Sequence, residues 1–261
     1  MRPVTKGLIS ILYITIDRYP SCVENLNENL RKTAVLDSEY EILWADNGSN
    51  DIGMLDRTIG RHPRLSYARI NETNEGVART INQLILRSRG EFVVQLGNDY
   101  DMPMFWLQEL VAYAKTIPKT GMVGMAWNPK HRTGKLVAEN DDAYPAYHAD
   151  INKPIFGVKL MTREMLETVG AFDENFHPYG MEDTDYHQRA CLAGFRNYYT
   201  PALSHHLGND GGSLSPYRLM KNESLKKAQE YYSTKWSRER VSLEEIIYHP
   251  WPEEREPLKA L

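Results

Sequence analysis

Two acidic side chains, Asp99 and Asp101, follow the apolar run 91–96 with one residue between them. Carboxylates so placed suit a hard divalent cation, which takes one or two carboxylates and completes its shell with phosphate oxygens. The alternative is a polar turn that leads into a helix after Pro103. Their position at the end of an apolar run favours the metal site.

A further acid, Asp46, ends the apolar run 40–45 and precedes the small polar residues 47–51. A carboxylate there could accept a hydrogen bond from a nucleotide base, and small residues let the chain turn closely around a ligand. The alternative is a polar turn whose Asp51 caps the next helix. The residues alone leave both interpretations open.

Three acids, Glu182, Asp183 and Asp185, begin a helical pattern after Gly180. The helix dipole favours acids in a first turn whatever the function. A carboxylate held there could also act as general base towards an acceptor hydroxyl.

A histidine pair, His205 and His206, precedes the glycine-rich stretch 208–213. An imidazole can ligate a metal, and a glycine-rich backbone can close over phosphates. The alternative is one buried histidine, one surface histidine and an ordinary loop.

Alternating strands and helices are predicted to position these groups. Apolar runs predict four strands, at 8–16, 40–45, 65–70 and 91–96. Helical patterns lie between them; a Ser21–Glu24 capping box begins the first, the second covers 51–59, and the third covers 74–89 with Gly90 as its stop. This alternation predicts a parallel sheet with right-handed crossovers, in which ligands bind beyond the carboxyl ends of the strands.

The second half has a different pattern. Strands are predicted at 122–127 and 155–161, separated by the polar stretch 128–153, which we interpret as a lid or binding loop. Aromatic rings stack on sugars, so we expect this region to face an acceptor, although a packed surface loop is the alternative. Its rings belong to Trp127, Tyr144, Tyr147 and His148. Further helices are predicted from a Thr162 cap to Gly170, at 182–192 and from Lys221 onward.

Composition indicates an ordinary globular protein of 261 residues with 41% hydrophobic and 25% charged residues. A net charge of −4 gives no broad attraction to nucleic acid or anionic membranes. The two cysteines, Cys22 and Cys191, predict buried reduced thiols. The run 8–16 is too short to cross a bilayer and lacks a signal-peptide cleavage site, so we expect a cytoplasmic protein, soluble or peripheral.

The order of these motifs resembles the inverting glycosyltransferases of family 2, which have the GT-A fold. The similarity extends from Ile11 to about Trp236, and its most specific part pairs GAFDENF at 170–176 with MEDTDYHQR at 181–189. The other matching pieces are TIDR at 15–18, ADNGSND at 45–51, NEGVARTIN at 74–82, GEFVVQLGNDYDMP at 90–103, SHHLG at 204–208, and YY and KW at 231–232 and 235–236.

This resemblance implies an α/β fold with a Rossmann-like nucleotide-binding, mostly parallel sheet flanked by helices. It places a GT-A domain at 1–215, with a donor half at about 1–103, an acceptor half at about 104–215, and a C-terminal helical extension at 216–261. It also implies a nucleotide-sugar site, with Asp46 contacting the base, usually uracil. The residues expected at this site are Thr15, Asp17, Arg18, Asp46, Asn47, Gly48, Asn74, Arg79 and Asn98.

The same resemblance implies a divalent cation, Mn²⁺ or Mg²⁺, with ligands among Asp99, Asp101, His205 and His206. Asp183 would be the catalytic base, with Glu182 beside it shaping the acceptor site. One departure is Gly97, which stands where the family usually has an acid. Either Asp99 and Asp101 act as the working pair, or one ligand is missing and the metal is held weakly.

We therefore expect transfer of a sugar from a nucleotide sugar, a UDP-sugar by resemblance, to an acceptor hydroxyl with inversion. A nucleotidyltransferase is one alternative, but residues 17–20 lack the glycine-rich basic loop that grips a triphosphate. A catalytically inactive domain that binds a nucleotide sugar or glycan is another; Gly97 favours it, and the intact Glu182–Asp183 pair argues against it. The acceptor stays open among a glycan, a lipid-linked glycan, a protein and a modified nucleic acid.

Overall fold

The computed structural model describes residues 1–33, 39–127, 136–137, 146–149, 151, 154–208, 216–237 and 247–255. Its strands are β1 Thr5–Thr15, β2 Tyr40–Asp46, β3 Leu65–Ile70, β4 Gly90–Leu96, β5 Tyr100–Asp101, β6 Thr120–Ala126, β7 Leu136–Val137, β8 Ala146–Ala149, β9 Lys159–Thr162, β10 Arg196–Leu203 and β11 His205–His206. Its helices are α1 Ser21–Arg31, α2 Ile52–Thr58, α3 Val77–Arg87, α4 Trp106–Thr116, α5 Arg163–Val169, α6 Glu182–Leu192 and α7 Pro216–Trp236, with a 3₁₀ turn at Ile59–Arg61.

Nine strands form one sheet in the order β3-β2-β1-β4-β9-β6-β10-β8-β7. The first four are mutually parallel, which confirms the α/β fold expected from alternating strands and helices. In the second half, β9 lies antiparallel between β4 and β6, and β8 lies antiparallel to β10. A separate ribbon pairs β5 with β11. Within the described part of the chain, no helix is apolar and long enough to cross a bilayer.

Helices cover both faces of the sheet, so each strand contributes to two cores. Alternate residues of β1 enter opposite clusters: Ile11 packs with Trp44 and Trp106, whereas Leu12 packs with Leu43 and the helices of the other face. Burial on both faces explains why these strands are continuous apolar runs. The polar residues at the carboxyl ends of these strands are therefore the candidates for binding or catalysis.

Some predicted boundaries were wrong for local reasons. The capping box does not form, because α1 begins at Ser21 itself; its hydroxyl donates to the Arg18 carbonyl (2.8 Å) and Pro20 is the N-cap. Helix α3 is shorter than 74–89, because Gly76 precedes it with φ 82° and the chain is already extended at Ser88. Gly90 does not stop that helix; it begins β4.

Other expectations were confirmed or corrected in the second half. The Thr162 hydroxyl caps α5, and α6 covers the predicted 182–192. Strand β9 forms only the end of 155–161, and α7 begins at Pro216 rather than at Lys221. Both cysteines are free thiols, but only Cys22 is fully buried. Most of 128–153, including Tyr144 and the Tyr147 side chain, and residues 209–213 lie outside the described residues.

Helix α7 packs on α6 through a buried ionic cluster. The Lys235 Nζ atom lies 2.8 Å from Asp173 Oδ2 and 2.6 Å from Asp185 Oδ1. Arg189 donates from Nε to the other oxygen of Asp185 (2.8 Å), and Trp236 donates its indole N–H to Asp185 (3.1 Å). The residues of this cluster come from three of the sequence motifs that match the family, so some of the matching residues hold these helices together.

Candidate active site

The ends of β1 and β2 form a buried, hydrogen-bonded corner around Asp46. Its Oδ1 accepts from the backbone N–H groups of Gly48 (3.1 Å) and Ser49 (2.7 Å), and its Oδ2 accepts from the hydroxyls of Thr15 (2.8 Å) and Ser49 (2.5 Å). Thr15 in turn accepts from the Trp44 indole (2.9 Å). Thr15 and Asp46, two of the residues predicted to bind the nucleotide-sugar donor, are fully buried and form this corner.

The loops beside the corner are tied together by two other predicted donor-site residues. Exposed Asp17, at φ 45°, accepts from the Asn50 backbone N–H through Oδ1 (2.7 Å). Asn47 is buried and accepts from Asn71 (2.7 Å) and Thr80 (2.9 Å). The turn after β2 is therefore rigidly built. Asp51 is the N-cap residue of α2, as the turn interpretation predicted, but its side chain makes no capping hydrogen bond.

The remaining predicted donor-site residues lie on two sides of the corner. The Asn98 amide donates to the Ile14 carbonyl (2.8 Å) and ties β4 to β1. Asn74 accepts from the Gly76 N–H (2.9 Å) at the start of α3, and Arg79 pairs with Glu174 (3.0 Å). Asn98 thus lies near the predicted metal ligands that follow β4, whereas Asn74 lies just before α3 and Arg79 lies on it.

The β5–β11 ribbon brings one predicted aspartate and one predicted histidine together. His206 Nε2 lies 3.2 Å from Asp99 Oδ2, which also accepts from Arg18 Nη1 (2.7 Å). Asp101 instead forms an ion pair with Lys32, and His205 is exposed. The structure therefore joins Asp99 and His206 and directs Asp101 and His205 elsewhere.

Asp99 and His206 fit a weak two-ligand site for a divalent cation. One carboxylate oxygen and one imidazole nitrogen suit Mn²⁺, whose remaining positions phosphate oxygens and water can fill. Among the described residues, no group of three or more His, Cys, Asp or Glu side chains could hold a metal. Such a site would depend on the donor diphosphate for the rest of its shell.

Tyr100 explains the departure at Gly97. A Cβ atom at Gly97 would lie 2.5 Å from Cδ2 of the Tyr100 ring, so an acidic side chain does not fit while that ring is in place. The ring centroid lies 4.9 Å from that of His206. Burial, and then the charges of Asp99 and Asp183, raise the pKa of Tyr100 well above its ordinary value. Tyr100 therefore fills the space beside Gly97 and packs against His206.

The first turn of α6 holds the expected base in an ion pair that sequence reasoning missed. Asp183 Oδ1 lies 2.6 Å from Nζ of Lys159, whose side chain is 0% exposed on β9, while the Asp183 side chain is 15% exposed. A lysine inside the otherwise apolar run 155–161 was the signal for it. Asp183 thus faces the cleft with one oxygen already held.

Glu182, beside Asp183, is buried and accepts from the Gly180 N–H (2.7 Å). Burial, and then the neighbouring charge of Asp183, raise the pKa of Glu182 to about 7. A carboxyl that is largely neutral below neutrality can sit beside an ionised aspartate without strong repulsion. The geometry thus separates a buried carboxyl, Glu182, from a partly exposed one, Asp183, which is paired with Lys159.

Replacing Glu182 by glutamine is expected to stabilise the protein at about pH 8, by on the order of 2 kcal/mol. The carboxyl has a pKa of about 7 in the fold against 4.5 ordinarily, so its stability contribution is lost as the pH rises through 7. Glutamine stays neutral and can still accept from Gly180. Denaturant unfolding at about pH 5 and about pH 8 measures this; equal losses of stability in both proteins between these pH values would contradict it.

Two aromatic residues of the predicted acceptor-facing region are described. The Trp127 ring lies 5.5 Å from that of His206 and is 40% exposed at the mouth of the cleft. His148 instead packs edge-on against Tyr198, 5.5 Å away. Of these two rings, Trp127 is therefore the one next to His206, a predicted metal ligand.

Comparison with known proteins identifies the family. The sequence profile described as glycosyl transferase family 2 matches residues 10–154, more than half of the chain, and the profile described as N-terminal domain of galactosyltransferase matches residues 139–208. An uncharacterized protein, y4gI, of Sinorhizobium fredii is 24% identical over 76% of this chain. The chain spans about a quarter of that relative's length, since the match covers 24% of it.

Solved structures of glycosyltransferases have a similar fold. The mannosyltransferase PcManGT of Pyrobaculum calidifontis, in complex with GDP-Man and Mn²⁺, is 20% identical with a TM-score of 0.60, over 81% of this chain and 60% of that one. TarS of S. aureus, residues 1–349, is 17% identical with a TM-score of 0.58, over 91% and 76%. GalNAc-T7 with UDP, GalNAc and Mn²⁺ is 13% identical with a TM-score of 0.62, over 87% and 50%.

At these identities the similarity to solved structures demonstrates the fold alone, and the family assignment rests on the sequence match. The parallel strands, the corner at Asp46 and the acids that begin α6 lie where the motif order of the family led us to expect them. The chain therefore belongs to glycosyl transferase family 2 and has the GT-A fold.

Proposed function

We propose that the chain transfers a sugar from a UDP-sugar to an acceptor hydroxyl with inversion at the anomeric carbon, using Asp183 as general base. The observation that carries this proposal is the placement of Asp183. Its carboxylate lies in the first turn of α6, is 15% exposed and is held by buried Lys159. The charges of Asp99 and Asp183 both raise the pKa of Tyr100.

In the proposed reaction, the acceptor hydroxyl attacks the anomeric carbon while Asp183 takes its proton, and the bond to the nucleoside diphosphate breaks in the same displacement. Asp99 and His206 would hold a divalent cation, which when bound neutralises charge on the leaving diphosphate. Arg18, at 2.7 Å from Asp99, is placed to contact the same diphosphate. Exposed Trp127 offers a face on which an acceptor sugar could stack.

A panel of UDP-, GDP- and dTDP-sugars with and without Mn²⁺ tests the donor. A ligand that binds only the folded state raises the melting temperature, so we expect a Mn²⁺-dependent shift with a UDP-sugar. Transfer should then release a nucleoside diphosphate; release of inorganic diphosphate would instead indicate a nucleotidyltransferase. Absence of a shift with every nucleotide sugar would refute the proposal.

The metal ligands are tested by a histidine pair. We expect His206→Ala to weaken Mn²⁺ binding by at least the roughly 10- to 100-fold that loss of an outer-shell partner costs. His205→Ala is the matched control and should bind Mn²⁺ like the wild type, because His205 is exposed and its neighbour Asp101 pairs with Lys32. Titration of Mn²⁺ in the presence of UDP, followed by melting temperature, measures both. Equal effects of the two substitutions would contradict the assignment.

A further inference from the structure

A fully buried lysine lies in the middle of the sheet. Lys159 is the first residue of β9, where its Cα pairs with Gln95 of β4 and Gly124 of β6. Its side chain is 0% exposed, and its ammonium group lies 2.6 Å from Asp183 Oδ1. A buried ammonium group is costly unless a carboxylate pairs with it.

Stability alone does not explain this lysine. Met161, two residues further along and on the same face of β9, is fully buried and apolar, so an apolar side chain at position 159 would suit the strand. Replacing a buried ion pair by apolar residues is often neutral or stabilising. The charge is instead directed at a carboxylate on the edge of the cleft, which indicates a role in the chemistry of that carboxylate.

The ion pair also gives Asp183 a defined orientation. Lys159 occupies Oδ1, and Oδ2 accepts no hydrogen bond from the residues that the structure describes. The ion pair therefore fixes the orientation of the Asp183 carboxylate and leaves Oδ2 as the oxygen available to accept a proton.

We propose that Lys159 is a positioning residue for the general base: it holds Asp183 in the orientation that accepts the acceptor proton. This inference rests on the proposed function of Asp183. It adds to the proposed active site a residue of β9, a strand on which the sequence motifs predicted no functional residue.

Two neutral substitutions test the inference. Lys159→Met keeps the length of the side chain, and Lys159→Gln keeps a hydrogen-bond donor without the charge. We expect kcat for sugar transfer to fall about a hundredfold in both, because a misplaced reacting group costs on that order. The KM for the donor should stay within about twofold of wild type, so that the loss appears in kcat alone.

Lys235→Met is the matched control, because it also removes a buried lysine paired with a carboxylate of α6. It should lower the melting temperature but leave the kcat of the folded enzyme within about twofold of wild type. A fall of kcat in Lys235→Met as large as in Lys159→Met would overturn the inference, because the effect would then follow from destabilisation.

A double-mutant cycle with Asp183→Asn gives a readout that does not depend on transfer. Asp183→Asn leaves the Lys159 charge unpaired, so adding Lys159→Met should recover melting temperature and cause no further loss of residual rate. Additive losses of rate, or a wild-type kcat in both Lys159 variants of an active enzyme, would overturn the inference alone. A wild-type protein that transfers no sugar would overturn the proposed function and the inference with it.

Discussion

Replacing Asp183 by asparagine is expected to lower kcat for sugar transfer by roughly 10²- to 10⁴-fold, the usual contribution of a general base. The amide is nearly isosteric with the carboxylate but cannot take the acceptor proton. Binding of the UDP-sugar should be largely unchanged, because Asp183 begins α6, whereas the proposed donor contacts lie at the ends of β1, β2 and β4. Initial rates and calorimetric donor binding measure the two effects separately.

The substitution also leaves Lys159 without its charge partner, so a loss of stability must be separated from a loss of chemistry. We therefore expect a lower melting temperature together with a donor affinity within about twofold of wild type. Glu164→Gln serves as control, because it removes an exposed carboxylate paired with Lys119 and should leave both rate and stability near wild type. Wild-type turnover by the Asp183→Asn protein would exclude Asp183 as the base.

Replacing Lys235 by methionine is expected to destabilise the protein by about 3–5 kcal/mol, the largest stability effect predicted here. Lys235 is the shared partner of Asp173 and Asp185, and both carboxylates are buried. Against the effect of burial, the hydrogen bond and charge of Lys235 lower the pKa of Asp173 to about 2. Without the ammonium group, Asp173 loses its closest cationic partner and Asp185 keeps only Arg189. The free energy of unfolding in denaturant measures the change.

Lys227→Met is the matched control on the same helix. Lys227 pairs with Glu223 one turn away, and both side chains are more than two thirds exposed. Exposed pairs of this kind contribute about 0.3–0.5 kcal/mol, so this variant should unfold close to wild type. If the two substitutions destabilised the protein equally, the cluster between α6 and α7 would not be an important source of stability.

Local sequence patterns were sufficient to predict the strands and helices and the types of residue at the candidate site. The apolar runs that end at Asp46 and before Asp99 are buried parallel strands, because burial on both faces requires continuous apolar sequence. Helix α6 begins with its acids where the pattern indicated. Boundaries were less well predicted: Ser21 lies inside α1, because backbone geometry placed the cap at Pro20.

Pairing between distant residues depended on the tertiary structure. Asp99 and His206 are 107 residues apart, and only the register of the β5–β11 ribbon brings His206 to Asp99 while His205 stays exposed. Two adjacent histidines are equivalent in sequence; a strand turns their side chains to opposite faces, and the partner strand determines which face meets the acid.

The sequence thus determined which chemical groups stand at strand and helix ends, because apolar periodicity and helix-start signals are local properties of the chain. It did not determine that Lys159 meets Asp183, that Lys32 holds Asp101, or that Tyr100 fills the space beside Gly97. Those contacts follow from the order of strands in the sheet and from how helices pack on it. Packing brings together side chains that lie far apart in the sequence, and their spacing in the sequence does not predict their distance in the folded protein.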